Sequence, residues 1–431
     1  MKKVTIICFL LMQLFANAQQ RLSLSDAVST ALKNNLGIRV AKNNVFIATI
    51  NNDYGIAGGL PYVTLTGSDN EQSLNLNQTL NGGTKIERSG ATSNAASVGV
   101  GAGVLVYNGG KVIAEKKRLE NVQAVNEYQL TSRGLTLASN VMLKYFDIVR
   151  QQSYAKTLEK SIEVSKQKLS IVQTQKEIGV ANNADLFQSQ LDLNAQLQSL
   201  QAQQLVIDQD KTDLLTLLTL KTDSTIIISD TILVDQSIKL DSILNHLDIN
   251  PDIVAAEKQI RINELLETEI LAQRYPSISA TTGFNYNRSE NSAGSVLFNQ
   301  NYGPYVGFNF ALPIFNGGVY KKQSQVATLT TGNSKLLRDT LVLAYNSIAF
   351  KNWQAYKSNL QQLQTQQKNY DLSLQLLDLV LQRFQLRQAT IIDVKQAQQS
   401  FENAGYQLVN LSYAAKVSEI QLKKLINRLS F

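Results

Sequence analysis

Two stretches of the chain alternate apolar with small or polar residues at a period of two. Val98, Val100, Ala102, Val104 and Val106 alternate with Ser97, Gly99, Gly101 and Gly103. Val306, Phe308, Phe310, Leu312 and Ile314 alternate with Tyr305, Gly307, Asn309 and Ala311. Period two is the side-chain repeat of a β-strand with one apolar face, which predicts strands at about 95–107 and 303–315. Hairpin partners are predicted at about 60–80, with Val63 and Leu65 on the apolar face, and at about 276–287, with Ile278, Ala280, Phe284 and Tyr286 on it. The alternating segments approach the roughly 9–11 residues of a membrane-crossing strand. Between them, Ser68–Asn94 and Arg288–Asn301 are rich in Asn, Ser and Gly and read as long polar loops.

Elsewhere the pattern is helical. Residues 111–178 contain one Gly and no Pro, 182–274 have Pro251 as their only helix breaker, and 319–431 have two Gly and no Pro. Such stretches, rich in Leu, Gln, Lys and Ala, favour long helices. Leu158, Ile162, Leu169 and Val172, and then Leu193, Leu197 and Leu200, follow the 3–4 spacing of coiled-coil packing. A helix over 111–178 would be roughly 100 Å long, so an elongated object is expected. The Gln-rich runs 188–204 and 361–367 read as solvated helix faces.

The two patterned regions are copies of one another. Asn108-Gly109-Gly110 recurs as Asn316-Gly317-Gly318, an offset of 208, and the same offset carries Ala181, Asp185, Gln188 and Gln190 onto Ala389, Asp393, Gln396 and Gln398. Upstream, Asn35 pairs with Asn250 and Pro61 with Pro276 at an offset of 215, so the first Gly-rich cluster holds seven extra residues. An internal duplication follows. Its expected division is a first repeat over 19–220 with a helical hairpin at 111–219 and a tip at 178–184, a linker at 221–240, and a second repeat over 241–431 with a hairpin at 319–428 and a tip at 386–392.

Composition narrows the function. Lys2 and Lys3, the apolar run Val4–Phe15 and Ala16-Asn17-Ala18 have the form of a cleavable export signal over 1–18. Its removal would take the formal charge from +7 to +5 and remove Cys8, the only cysteine. With no other cysteine and a single histidine, His246, the chain offers no disulfide framework, no thiol nucleophile and no Cys/His zinc site. Neither an enzyme nor a cofactor is expected. Only 17% of residues are charged, with no Lys/Arg-rich block, which argues against nucleic acid. After the signal no apolar run approaches the roughly 20 residues of a membrane-spanning helix. A β-barrel is the remaining way into a membrane.

The predicted hairpin turns carry the candidate site. Gly179-Val180-Ala181-Asn182 is followed by Asp185, and Arg387-Gln388-Ala389-Thr390 by Asp393. Asn or Thr with an acid three positions on is the spacing of a capping box. A capping carboxylate can also face a passage, so both roles are open to Asp185 and Asp393.

The whole pattern resembles the TolC family of outer-membrane efflux and secretion channels. The resemblance rests on Leu24-Ser25-Asp26-Ala27, Ala31-Leu32 and Asn34-Asn35, and on Asn250-Pro251. It also rests on Leu60-Pro61 and Tyr275-Pro276 before the strands, both Asn-Gly-Gly strand exits, and the Gly179/Asp185 and Thr390/Asp393 turns. It implies a mainly α fold with a β-barrel portion: a homotrimer sharing a 12-strand outer-membrane barrel, continued by a periplasmic α-helical tube. Four strands are too few to close a barrel, the smallest having about 8; the resemblance, not the composition, selects three chains. It further implies passive conduction of small molecules or exported proteins, a periplasmic adaptor docked on the tips, and through it an inner-membrane pump. The docking residues would be Gly179, Val180, Ala181, Asn182, Asp185, Arg387, Gln388, Ala389 and Thr390. The periplasmic aperture would involve Asp393, Gln396, Phe384 and Arg387. Here the chain departs from the family's pattern, because its second aperture acid is Gln396, its gating tyrosine is Phe384 and the partnering arginine is Ala389. Lipid would be faced by Val98, Val100, Ala102, Val104, Val306, Phe308, Phe310 and Leu312. The alternative is a soluble periplasmic coiled-coil adaptor, against which the duplicated strand pairs weigh.

Overall fold

The computed structural model describes residues 20–429; the expected signal segment, 1–18, lies outside the described residues. In chain order the elements are β1 (Gln20–Arg21), α1 (Leu24–Asn34), α2 (Leu36–Asn51), β2 (Tyr62–Thr79), β3 (Lys85–Tyr107), α3 (Lys111–Glu177) and α4 (Asn183–Leu217). They continue with β4 (Ile226–Ile227), α5 (Leu240–Leu244), α6 (Pro251–Ala272), β5 (Ser277–Asn291), β6 (Phe298–Ala311), α7 (Val319–Gln385) and α8 (Ile391–Leu425). The duplication is visible in the boundaries. Helices α3 and α7 have 67 residues each and α4 and α8 have 35 each, all displaced by 208.

The repeated motifs explain themselves locally. Gly109, Gly110, Gly317 and Gly318 all have positive φ, a conformation that costs a residue with a Cβ, so each strand exit turns on a Gly pair. Asn35 breaks what reads as one helix into α1 and α2, and its side chain accepts the Ile38 amide at 3.2 Å. Its counterpart Asn250 accepts the Asp252 amide at 3.0 Å, and Pro251 takes the first position of α6, where a missing N–H is harmless.

The chain forms two compact units. One comprises 44–127 and 255–339 and holds the antiparallel sheet, in the order β2-β3-β5-β6. Its register places Val63, Ala102, Thr282 and Val306 in one row and Leu65, Val100, Phe284 and Pro304 in the next, all on one face. Thr64, Gly101, Gly283 and Tyr305 form a row on the opposite face. The first face is apolar and open, with Val63, Leu65, Val306, Phe308 and Phe310 all strongly exposed. On the second, the Tyr62 ring lies over Gly103 and the Tyr305 ring over Gly101 and Gly283. Below the sheet, Arg118 of α3 pairs with Glu269 of α6 at 2.6 Å.

The strands differ from the expected ones in length. Ser68–Asn94 is largely strand, with only 80–84 as a turn, and Arg288–Asn301 continues β5 and β6. The alternation signal fades there because apolar residues become sparse, Leu74 and Leu76 being the alternating pair left in β2. The ladder continues on hydroxyl and amide pairs instead: Ser68 with Ser97 at 2.8 Å, Asn94 donating to Asp69 at 2.9 Å, and Asn287 donating to Asn301 at 3.0 Å. At the other end β6 stops at Ala311, so Leu312 lies beyond the strand. Pro313 follows it and has no amide to donate.

The other unit comprises 20–43, 128–254 and 340–429. The expected linker contributes to it: β4 pairs with β1 in parallel, a contact that no sequence pattern announced. Its main core buries Val28, Val141, Tyr145, Leu214, Leu215 and Ile420 among others. The Tyr145 hydroxyl lies 2.6 Å from the Asp230 carboxylate and 2.9 Å from the Leu22 carbonyl, and burial, then Asp230, pushes the phenol pKa well up. Glu419, buried on α8, accepts from the Asp235 amide at 3.0 Å and pairs with Lys416 and Lys423. These bonds fasten the segment after β4 to the helices.

The glycine–tyrosine contacts give a direct test. A Cβ at Gly283 would sit 2.4 Å from the Val100 carbonyl and 2.8 Å from the Tyr305 ring, whereas at Gly67 its nearest neighbour is at 3.8 Å. Gly283→Val is expected to lower the heat resistance of the folded protein on detergent gels, and Gly67→Val to leave it unchanged; equal behaviour of the two would contradict the packing.

Candidate functional site

Both hairpin turns are built on the same hydrogen bonds. After α3, the Gly179 amide donates to Lys176 O at 2.9 Å and Val180 to Gln175 O at 2.9 Å; after α7, Arg387 donates to Phe384 O at 3.1 Å and Gln388 to Arg383 O at 2.7 Å. This is the Schellman ending, which needs a left-handed residue after the helix. Gly179 supplies it with φ 81°, but in the second copy Arg387 is held at φ 59°. Arg383 reaches across that turn and donates to the Gln388 carbonyl at 3.2 Å.

The next helices begin with full capping boxes. Asn182 accepts the Asp185 amide at 2.9 Å, and Thr390 accepts the Asp393 amide at 3.2 Å. The Asp393 carboxylate in turn accepts from the Thr390 amide at 2.7 Å and from its hydroxyl at 2.8 Å. These bonds, with the charge of Arg383, hold its pKa below the usual carboxylate range. Asp393 therefore caps α8 while remaining solvent-exposed, as do Gln396 and Arg387. The two roles left open by the sequence are compatible at this residue.

Phe384 is different. It is 6% exposed and packs with Val164, Val172, Leu377, Val394, Ala397 and Phe401 in a core joining the two hairpins. Its ring is buried within this chain, where it helps hold the two hairpins together. Gly179, Val180, Asn182, Gln388 and Thr390 are exposed at the tips, and Ala181, Asp185 and Ala389 are half-buried. Equivalent apolar residues stand out at each tip, Ile178 at 61% and Leu386 at 68% exposed.

A polar seam behind the tips escaped the sequence reading. Lys168 on α3 is fully buried and donates to Asp192 on α4 at 2.7 Å, and Lys395 on α8 reaches the same carboxylate at 3.0 Å. Burial alone would raise the Asp192 pKa; the bonds from Lys168 and Lys395, with Gln188, more than reverse this and leave it lowered. One helical level on, Gln398 donates to Ser165 at 2.8 Å and to the Ser161 carbonyl at 3.1 Å, while Ser161 bonds Glu402, which also accepts from Gln196 at 2.8 Å. The available signal was the duplicated Gln190/Gln398 pair and a buried row Ser161, Ser165, Lys168, Val172 at helical spacing.

Among the described residues, no helix is long and apolar enough to cross a membrane, and no group of three or more His, Cys, Asp or Glu is placed to hold a metal ion. What remains is a sheet with an open apolar face and a pair of long helical hairpins, the architecture of an outer-membrane channel subunit. The sequence model of the outer membrane efflux protein family matches residues 27–219 and 244–428. The chain belongs to that family and is an outer-membrane efflux protein. Among curated relatives it is similar to the probable efflux pump outer membrane protein TtgC and the antibiotic efflux pump outer membrane protein ArpC, both of Pseudomonas putida. Each is 24% identical over 94% of this chain and 82% of the relative. Among solved structures it resembles the Campylobacter jejuni CmeC outer membrane channel, with a TM-score of 0.76, 19% identity, and 94% and 85% of the two chains covered. It also resembles VceC of Vibrio cholerae, with a TM-score of 0.74, 17% identity, and 94% and 96% covered. Membership of the outer membrane efflux protein family, matched over most of the chain, replaces the adaptor reading.

Two outcomes test the tip geometry. Arg387→Gly relieves a left-handed residue and is expected to stabilise the turn by about 1 kcal/mol, slowing amide exchange at Gln388 roughly fivefold; unchanged exchange would contradict a strained turn. Asp192→Ala leaves Lys168 buried without its partner, a loss of about 3–5 kcal/mol, seen as a lowered thermal midpoint that a second change, Lys168→Met, largely restores. The folded carboxylate binds its proton less tightly than the unfolded one. Its contribution is therefore complete above about pH 4 and is lost as the pH falls through the lowered folded value.

Proposed function

We propose that this protein is the exit duct of a tripartite efflux or type I secretion system. Three copies share one barrel of twelve strands, and their paired hairpins form a tube extending into the periplasm. The duct conducts small molecules or exported proteins passively and catalyses no reaction, while an inner-membrane pump supplies energy through a periplasmic adaptor. The observation that carries this reading is the four-stranded sheet whose outer strands, β2 and β6, are each paired on one side only. A sheet edge cannot stand unpaired in lipid.

The face of Val98, Val100, Ala102, Val104, Val306, Phe308 and Phe310 meets lipid in this reading. Leu312, beyond the strand, lies at the barrel's periplasmic rim. The two repeats in this reading are 19–220 and 241–431 with a linker at 221–240, and the helices of their hairpins run over Lys111–Leu217 and Val319–Leu425. The adaptor docks on the turns at 178–182 and 386–390, where the exposed Ile178 and Leu386 offer apolar anchors of the kind that dominate protein contacts. At the aperture, Asp393, with Gln396 beside it and Arg387 near, forms a ring of three carboxylates. Such a ring focuses field at a narrow point and attracts cations.

The test is single-channel recording in planar bilayers. Asp393→Ala is expected to raise conductance and weaken block by divalent cations, and an Asp393→Glu variant to retain the block. Unchanged conductance and block in Asp393→Ala would leave the residue with its capping role alone.

A further inference from the structure

Charge is distributed unevenly between the two faces of the sheet. In the part where all four strands are paired, the acidic and basic residues are Asp69, Glu71, Arg288 and Glu290. The register puts Asp69, Ala96, Arg288 and Gln300 in one row and Glu71, Asn94, Glu290 and Phe298 in the next. Both rows continue the face that carries Val98, Val100, Phe284 and Val306. In this four-stranded part the opposite face therefore carries no Asp, Glu, Lys, Arg or His; Lys85, Glu87 and Arg88 lie beyond it, where β2 and β3 pair alone.

That face is built from hydroxyls, carboxamides and glycines. One row reads Thr66, Gly99, Asn285 and Gly303, the next Ser68, Ser97, Asn287 and Asn301, and the next Asn70, Ala95, Ser289 and Asn299. The tyrosines of this face are Tyr62 and Tyr305. Both lie down against it, because Gly103, Gly101 and Gly283 leave room where a Cβ would stand within about 3 Å of their rings or hydroxyls. The low overall charge of the chain does not explain the result, since the same strands carry both signs of charge on their other side.

We infer that the inner face of the barrel is a charge-neutral wall that takes no part in selecting cargo by charge, and that any charge preference of the duct arises outside the barrel strands. The inference rests on the barrel reading above, which makes the apolar face the outer one. Physically, a wall without fixed charge creates no potential well or barrier for an ion of either sign. Its amides and hydroxyls exchange hydrogen bonds with water and solute without a desolvated charge to overcome. The cargo class it suits is broad in charge and polar in surface: cationic, anionic, zwitterionic or neutral solutes that remain hydrated. The flat tyrosines add apolar contact without narrowing the passage.

The local potential can be measured with thiol reagents. In a Cys8→Ser background, single cysteines are introduced as Ser97→Cys and Asn285→Cys on the inner face and Val100→Cys on the outer. Each membrane-embedded variant is reacted with a cationic and an anionic methanethiosulfonate of similar size. A local potential of one kT would change the ratio of the two rates about sevenfold relative to a free thiol. The expected result is that Ser97→Cys and Asn285→Cys react with both reagents, in a ratio within about twofold of that of a small free thiol in the same buffer, while Val100→Cys is protected from both. Inner-face cysteines that react but favour one sign severalfold would overturn the neutral wall and leave the barrel standing. Reactive Val100→Cys with protected Ser97→Cys would overturn the assignment of faces itself.

Discussion

A backbone amide or carbonyl in lipid has no water to fall back on, and each one left unpaired costs several kcal/mol. The sheet of this protein meets that constraint only in part. Strands β3 and β5 are paired on both sides, while β2 and β6 each have a free edge. The apolar face of the same sheet is open, with Phe308 and Val306 more than three-quarters exposed. A sheet that must be in lipid and cannot close on itself has to be completed by other copies, and much else in the chain makes sense as a consequence. In the proposed barrel the opposite, polar face is the one that encloses water. The glycines beneath Tyr62 and Tyr305 keep that enclosure from filling with rings.

The same economy appears in the helices. One strand pair and one helical hairpin were copied, and the copies were then differentiated. Element lengths stayed equal, as the 67- and 35-residue pairs show. The differences sit where the hairpins meet. Gly179 became, or was, Arg387 in the other copy, and the strained turn is braced by Arg383. Asp192 of the first hairpin binds Lys168 of its own hairpin and Lys395 of the second, a three-residue link that a symmetric pair could not form. Phe384 and Phe401 fill the space between the hairpins. The tips are thus tied to each other by specific polar and apolar contacts, while their outermost residues remain free.

Much of this could be read from residues alone. The duplication, both strand pairs, the long helices, the two turns and their caps follow from period, helix breakers and the Asn-Gly-Gly and Asn/Thr-x-x-Asp spacings. The polar halves of the strands could not be read that way, because alternation reports an apolar face and in Ser68–Thr79 the apolar positions shrink to Leu74 and Leu76. The pairing of β1 with β4 rests on two residues each, too short for any pattern. The burial of Phe384 between the hairpins is a property of their packing, which position along the chain does not reveal. The Lys168–Asp192–Lys395 seam was invisible because a lysine at a core position of a helix stripe looks like a solvated one until its partner, 24 residues along the chain, is seen beside it.

Completion of the four-stranded sheet by further copies of itself fixes the size of the particle that carries it. The most direct measurement is the detergent-corrected mass of the purified protein by light scattering. The expected result is a particle that leaves the membrane only with detergent and contains three copies of the 47.7 kDa chain, less any signal removed. A stable single-copy particle, or one that is soluble without detergent, would contradict it.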